Sequence, residues 1–200
     1  MNKKDKKIIY ILLIIIILFS LILLFKITKS EKQIKELRNK VYEEYNKISE
    51  TEIDTAINNN INSSDTTLQE QTTITIGKLE IPKIGISYPI INICSDINLE
   101  VAPCRIAGPY PNTPGNLVIA GHNNWNKSFF SNLYKLKKGD LVYFTDISGR
   151  KLKYKIYDKY EVDENDLSCL EQDTNEQTEI TLLTCVKYKK KKRLIIKCRN

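Results

Sequence analysis

His122, Cys185 and Arg193 are the residues of this sequence whose types and positions suit them to chemistry. Each marks an end of an apolar, strand-like run. His122 closes NLVIAGH, Cys185 closes EITLLTC, and Arg193 opens RLIIKC. Polar residues at the ends of buried strands stand on the rim of a rigid frame, where sites are commonly built. Cys185 and Arg193 are symmetric about Lys189, so a hairpin with an odd loop, 188–190 or 187–191, sets them directly opposite each other. Their Cβ atoms are then about 4.5–5.5 Å apart on one face. A two-residue loop makes them diagonal neighbours instead. A guanidinium beside a thiol favours the thiolate and offers donors to an oxyanion forming on an attacked carbonyl. His122 is 63 residues from Cys185, so only the fold can bring it near. The three together supply a nucleophile, a proton donor for a leaving amine and an oxyanion stabiliser, the set needed to attack an amide or thioester through an acyl-enzyme. Taken singly, each has an ordinary structural reading: a small buried hydrophobe, a hydrogen-bonded histidine, a solvated strand end. The combination is what carries the chemical reading.

The elements that must position these residues are short and β-rich. Strands are expected at 76–81, 84–91, 116–120, 140–145, 151–162, 179–186 and 192–198. The segment KLKYKIYDKYEV at 151–162 shows the clearest alternation. One or two helical turns fit 128–136. Turn signals fall at Ile81-Pro82, between Pro111 and Pro114, at Gly139-Asp140 and at Ser148-Gly149. Seven or eight short strands in one domain point to a closed or nearly closed β-barrel. The segment Asp163 to Thr178 has no strong helical period.

Ahead of this domain lies a different kind of chain. Residues 8–25 contain no charge and are bounded by Lys7 and Lys26. As a helix this stretch is about 27 Å long, close to the roughly 30 Å hydrocarbon core of a bilayer. No small-x-small cleavage site follows it, so an uncleaved anchor is expected rather than a signal peptide. Lys3, Lys4, Lys6 and Lys7 precede it against the single Asp5. The positive-inside rule then keeps the short amino end in the cytoplasm and puts residues 30–200 outside. Ile34, Leu37, Val41, Tyr45 and Ile48 form a narrow apolar stripe, so 29–50 is expected to be helical. Residues 54–75, rich in Asn, Ser, Thr, Gln and Asp, read as a flexible linker. The expected organisation is 1–28 as cytoplasmic tip and anchor, 29–75 as helical stalk and linker, and 76–200 as the folded domain.

The net charge of +7 is uneven. Residues 1–50 carry 11 basic and 6 acidic side chains, residues 51–186 carry 12 and 18, and residues 187–200 carry 8 and none. The middle of the protein is therefore acidic, and the basic ends do not make a nucleic-acid face. With one His in the chain, a multi-histidine metal site is excluded, and neither GxxxxGK[ST] nor GxGxxG occurs. No metal or cofactor is expected. Lys189 to Lys192 read as a solvated turn, or as an electrostatic lure for anionic polymers or acidic substrate flanks. Cys94, Cys104, Cys169 and Cys198 read as structural. Cys94 and Cys104 are near enough in sequence to bridge, but sequence leaves the pairing open. Cys198 has the wrong strand parity to share a face with Arg193.

The run T181-L182-L183-T184-C185, followed by Arg193 and preceded by G121-H122-N123 after a strand, resembles the sortases, membrane-anchored cysteine transpeptidases of Gram-positive bacteria. The resemblance covers about residues 76–199. It implies a mainly β fold: a closed eight-stranded sortase-type barrel with short helices, preceded by a transmembrane helix. It further implies cleavage of an LPxTG-like sorting motif after its Thr and transfer of the acyl group to an amine on a peptidoglycan precursor or pilin. Cys185 would be the nucleophile, His122 the acid and base, and Arg193 the stabiliser of substrate and oxyanion. GHN followed by FFSNL resembles class B sequences, while the compact barrel with its anchor also suits class D. Two other functions share these residues: a cysteine hydrolase with water as acceptor, and a membrane-tethered cell-wall binding module without chemistry.

Overall fold

The computed structural model describes residues 3–55, 74–123 and 128–200. The chain divides into two compact units, Met1–Leu37 and Arg38–Asn200. The helix α1, Lys3–Thr55, runs unbroken through the stretch expected to span a membrane and the stretch expected to form a stalk. Its apolar side chains from Ile11 to Ile27 are exposed. A helix that is apolar on every face and covered by no protein is suited to lipid. Within the second unit, Val41 of the same helix is fully buried. Arg38 Nη2 donates to the Glu100 carbonyl at 3.5 Å. The expected linker at 54–75 falls for the most part on residues 56–73, outside the described residues.

Eight strands follow: β1 (Thr75–Ile81), β2 (Ile86–Ile91), β3 (Cys104–Ala107), β4 (Gly115–Ala120), β5 (Leu141–Asp146), β6 (Lys151–Asp163), β7 (Thr178–Val186) and β8 (Lys189–Arg199). They close into a barrel in the order β1-β2-β3-β4-β7-β8-β6-β5. Closure pairs each strand with two neighbours, most thinly between β2 and β3. Leu79, Leu117, Phe144, Tyr154, Ile180 and Ile196 fill the interior from alternate positions of six strands, as the period-2 geometry of a strand requires.

Three local expectations are corrected. β3 stands where no strand was expected; it is four residues long and pairs with β2 at a single position, Ile91 with Cys104. The segment expected as a strand from 84 begins instead with a 3₁₀ turn, Pro82–Ile84, because Pro82 lacks an N–H and Gly85 turns the chain at φ 66°. The helical turns expected over 128–136 shrink to one 3₁₀ turn, Leu133–Lys135. There Phe129 adopts φ 50° and is bridged to Asn123, so the chain doubles back before any helix can start.

A four-residue helix α2, Asp96–Leu99, joins β2 to β3 and is capped by the Ser95 side chain. A disulfide between Cys94 and Cys104 closes this segment, with Cα atoms 5.1 Å apart.

Candidate active site

β7 and β8 pair antiparallel from Glu179↔Arg199 to Cys185↔Arg193, and then shift so that Val186 faces Lys189. The turn itself is only Lys187 and Tyr188, the latter at φ 65°. An odd loop is therefore not what sets Cys185 opposite Arg193. A bulge of Lys190, Lys191 and Lys192 on β8 does so, by letting three residues of one strand pass without partners on β7. Those residues stay attached on their other side: Lys192 pairs with Asp163 of β6, and the Glu164 N–H donates to the Lys191 carbonyl at 2.8 Å. The lysines accordingly open a strand and do not form a solvated turn.

β4 lies on the other flank of β7 and runs parallel to it, from Gly115↔Thr178 to Ala120↔Leu183. Continuing that register by two residues sets His122 level with Cys185. Hydrogen bonds carry the contact past the strand end: the Gly121 N–H donates to the Leu183 carbonyl at 3.1 Å, and Asn123 Nδ2 donates to the Cys185 carbonyl at 2.8 Å. Cys185 and Arg193 thus face each other on β7 and β8, while His122 follows two residues after the end of the neighbouring β4.

The two threonines of the TLLTC run have a structural purpose in this arrangement. Thr181 Oγ1 donates to Asn116 Oδ1 at 2.7 Å, and Thr184 Oγ1 donates to the Gly121 carbonyl at 2.6 Å. Both hydroxyls are buried, and both clamp β7 to β4, the second at the residue just before His122. A buried hydroxyl without a partner is costly, so each threonine also holds the register. Gly121 is required by close approach, since a Cβ there would come within 2.7 Å of the Phe130 ring.

Two carboxylates that sequence reasoning missed flank these residues. His122 Nε2 lies 3.4 Å from Glu100 Oε1, and Arg193 Nη2 donates to Glu164 Oε2 at 3.2 Å. Neither stands in a local pattern with its partner, so no periodicity could have found it. Farther along β6 and β8, Lys189 pairs with Glu161 at 2.9 Å and Lys192 with Asp163 at 3.1 Å. These pairs neutralise part of the basic run and weaken any attraction it exerts on distant anions.

Cys185 is exposed, whereas Cys169 and Cys198 are buried thiols. Burial raises the pKa of both buried thiols above the ordinary value, most strongly for Cys198 inside the barrel, so they stay protonated and inert. The parity expected for Cys198 is observed: it belongs to the barrel core. A cavity of about 270 Å³ extends from Cys185 and Thr184 to Asn123, Phe130, Tyr134 and Glu161.

The sortase domain family matches residues 79–200, and the chain belongs to that family. It is 30% identical over 115 residues to sortase A of Bacillus anthracis, covering 57% of this chain and 53% of that protein. It is 26% identical over 113 residues to sortase A of Listeria monocytogenes, covering 56% and 50%. The chain spans about half the length of the curated relatives it matches. Among solved structures, the pilus-related sortase C of Group B Streptococcus superposes with a TM-score of 0.60 at 27% identity, covering 71% of this chain and 75% of that one. The Clostridium perfringens sortase D5 transpeptidase gives a TM-score of 0.66 at 23% identity, covering 80% and 98%, and supports the fold.

Proposed function

We propose that this protein is a membrane-anchored cysteine transpeptidase that cuts an LPxTG-like sorting motif and passes the acyl group to an amine. The observation that carries the reading is that Cys185 and Arg193 face each other across β7 and β8 of a sortase barrel, with His122 just past the end of the neighbouring β4. In the proposed cycle the Cys185 thiolate attacks the Thr carbonyl, and Arg193 donates to the oxyanion. The C–N bond then breaks, leaving a thioester on Cys185, and the departing amine takes a proton from His122. An incoming amine gives a proton to His122, attacks the thioester and restores the thiolate. The acceptor is an amine of a peptidoglycan precursor or a pilin.

The apolar part of α1 serves as a single-pass anchor in this reading. The amino-terminal lysines stay in the cytoplasm and the barrel lies outside the cell. Residues 29–75 form the stalk and linker between anchor and barrel, and the catalytic domain is 76–200.

The experiment is to mix the detergent-solubilised full chain with an LPxTG-like peptide, with and without an added amine, and to locate the adduct by mass spectrometry. A thioester on Cys185 that amine resolves faster than water is the expected result. Cys185→Ala should form none, and His122→Ala should leave a thiol that alkylates but barely cleaves. An adduct on another cysteine, or cleavage by Cys185→Ala, overturns the proposal, while indifference to amine makes the enzyme a hydrolase.

A further inference from the structure

We propose that Glu100 is a positioning residue for His122, which fixes the tautomer and orientation of the imidazole; this rests on the reading of His122 as the proton carrier of the site. The carboxylate Oε1 lies 3.4 Å from Nε2 of the ring. A neutral imidazole has one N–H and one lone pair, and the partner of one nitrogen decides which nitrogen carries the hydrogen. A carboxylate accepts and cannot donate, so its approach to 3.4 Å favours the hydrogen on Nε2. Nδ1 is thereby the nitrogen that takes a proton from an incoming amine and returns one to a leaving amine.

Glu100 is itself 57% exposed along its side chain, so the contact adds little to stability. Its backbone, by contrast, is anchored at many points. The Cys94–Cys104 disulfide closes the segment that contains it. Inside that segment the Asn98 N–H donates to Ser95 Oγ at 3.2 Å, and Asn98 Nδ2 donates to the Ile93 carbonyl at 2.7 Å. The N–H groups of Val101 and Ala102 both reach the Asn98 carbonyl at 3.0 Å, and both side chains are buried. Cys104 sits opposite Ala120 in the β3–β4 pairing. The disulfide therefore pins the Glu100 segment to β4, whose last residue, Ala120, stands two positions before His122. A side chain launched from so fixed a backbone is aimed at its partner, in the way that outer partners orient catalytic and metal-binding imidazoles.

His122 is the single histidine of the chain, so its ring nitrogens can be observed alone in full-length protein labelled with ¹⁵N-histidine in detergent. The wild-type neutral ring is expected as the Nε2–H tautomer. Glu100→Ala should mix the two tautomers and slow Cys185 acylation about tenfold in kcat with KM little changed, a fraction of the 10²–10⁴ that a general acid supplies. Glu100→Gln retains a carbonyl that accepts from Nε2–H and should restore the tautomer and most of the rate, which a merely structural role would not require. The tautomer measurement needs no substrate, so the two readings fail separately. An unchanged tautomer in Glu100→Ala overturns the role of Glu100 even where Cys185 acylates. A wild-type protein that never acylates on Cys185 overturns the catalytic reading instead.

Discussion

Cys185 lies directly across the β7–β8 ladder from Arg193, although the turn between the two strands holds only two residues. The Arg193 guanidinium is kept in place by the Lys192 carbonyl and the Glu164 carboxylate, each at 3.2 Å. Arg193→Ala should slow acylation about 10²–10³-fold, the usual loss on removing an oxyanion donor. Arg193→Lys should recover only part of the rate, because one ammonium cannot reproduce a planar fork of donors. Single-turnover kinetics with a sorting-motif peptide measures both, and wild-type rates in Arg193→Ala would remove Arg193 from the site.

The thiols should differ sharply in reactivity. An alkylating reagent at neutral pH is expected to label Cys185 first, since it is exposed while Cys169 and Cys198 are buried. Burial raises the pKa of the latter two, most strongly for Cys198, so a modest rise in pH should still favour their protonated forms in the folded protein. They should label only on unfolding, which peptide mapping after a timed pulse will report. Early labelling of Cys198 would contradict its place in the core.

Thr184 ties the chain before Cys185 to the chain before His122 through its bond to the Gly121 carbonyl. Thr184→Val keeps the shape but loses the donor, and should cost about 1–3 kcal/mol of stability. Thr184→Ser keeps the hydroxyl and should lose less. Urea titration gives the stability, and activity is expected to fall with Val more than with Ser. Equal behaviour of the two variants would show that the hydroxyl is unimportant.

Asp140 gives a pH-dependent component of stability. Lys83 Nζ lies 2.7 Å from Asp140 Oδ1, and the Lys137 N–H donates to Oδ2 at 2.7 Å. The Lys83 hydrogen bond, with help from that N–H, holds the carboxyl below its ordinary value of 3.8. The folded state thus favours the ionised form, so the stabilisation is complete above the ordinary value and is lost as the pH falls below it and through the lowered value of the folded state. Asp140→Asn should lower stability by about 1 kcal/mol or less at neutral pH, a Tm loss of about 2–4 °C. The gap to wild type should narrow as the pH falls below 3.8, and a gap independent of pH would refute the assignment.

Most of the barrel was legible because its strands alternate. β6 reads as a strand from KLKYKIYDKYEV alone, and β7 from EITLLTC, since one face of each is buried and the pleat has period 2. β3 was hidden because CRIA is too short to show a period and stands between Pro103 and Gly108. The facing of Cys185 and Arg193 was legible from the spacing, but the bulge that achieves it was not. A run of four lysines gives no sign of which residues pair and which pass. His122 was recognised by its place after an apolar run. Its partner Glu100 was not, because a disulfide and a short capped helix bring it there from 22 positions earlier in the chain. Contacts made through tertiary closure leave no mark in local periodicity.

The parallel pairing of β4 with β7 sets the order in which this molecule can be finished. β4 must wait for β5 and β6 to be made before it meets β7, and β7 has no second neighbour until β8 exists. Long-range parallel pairings close slowly, because chain entropy is lost well before the contact is gained. The β7–β8 hairpin is local and can set Cys185 against Arg193 first, whereas His122 joins them only when β4 pairs with β7. An incomplete chain holds the histidine without the thiol or the thiol without the arginine. Synthesis proceeds from the amino end, so the nascent protein cannot pair Cys185 with Arg193 until β8 has been made.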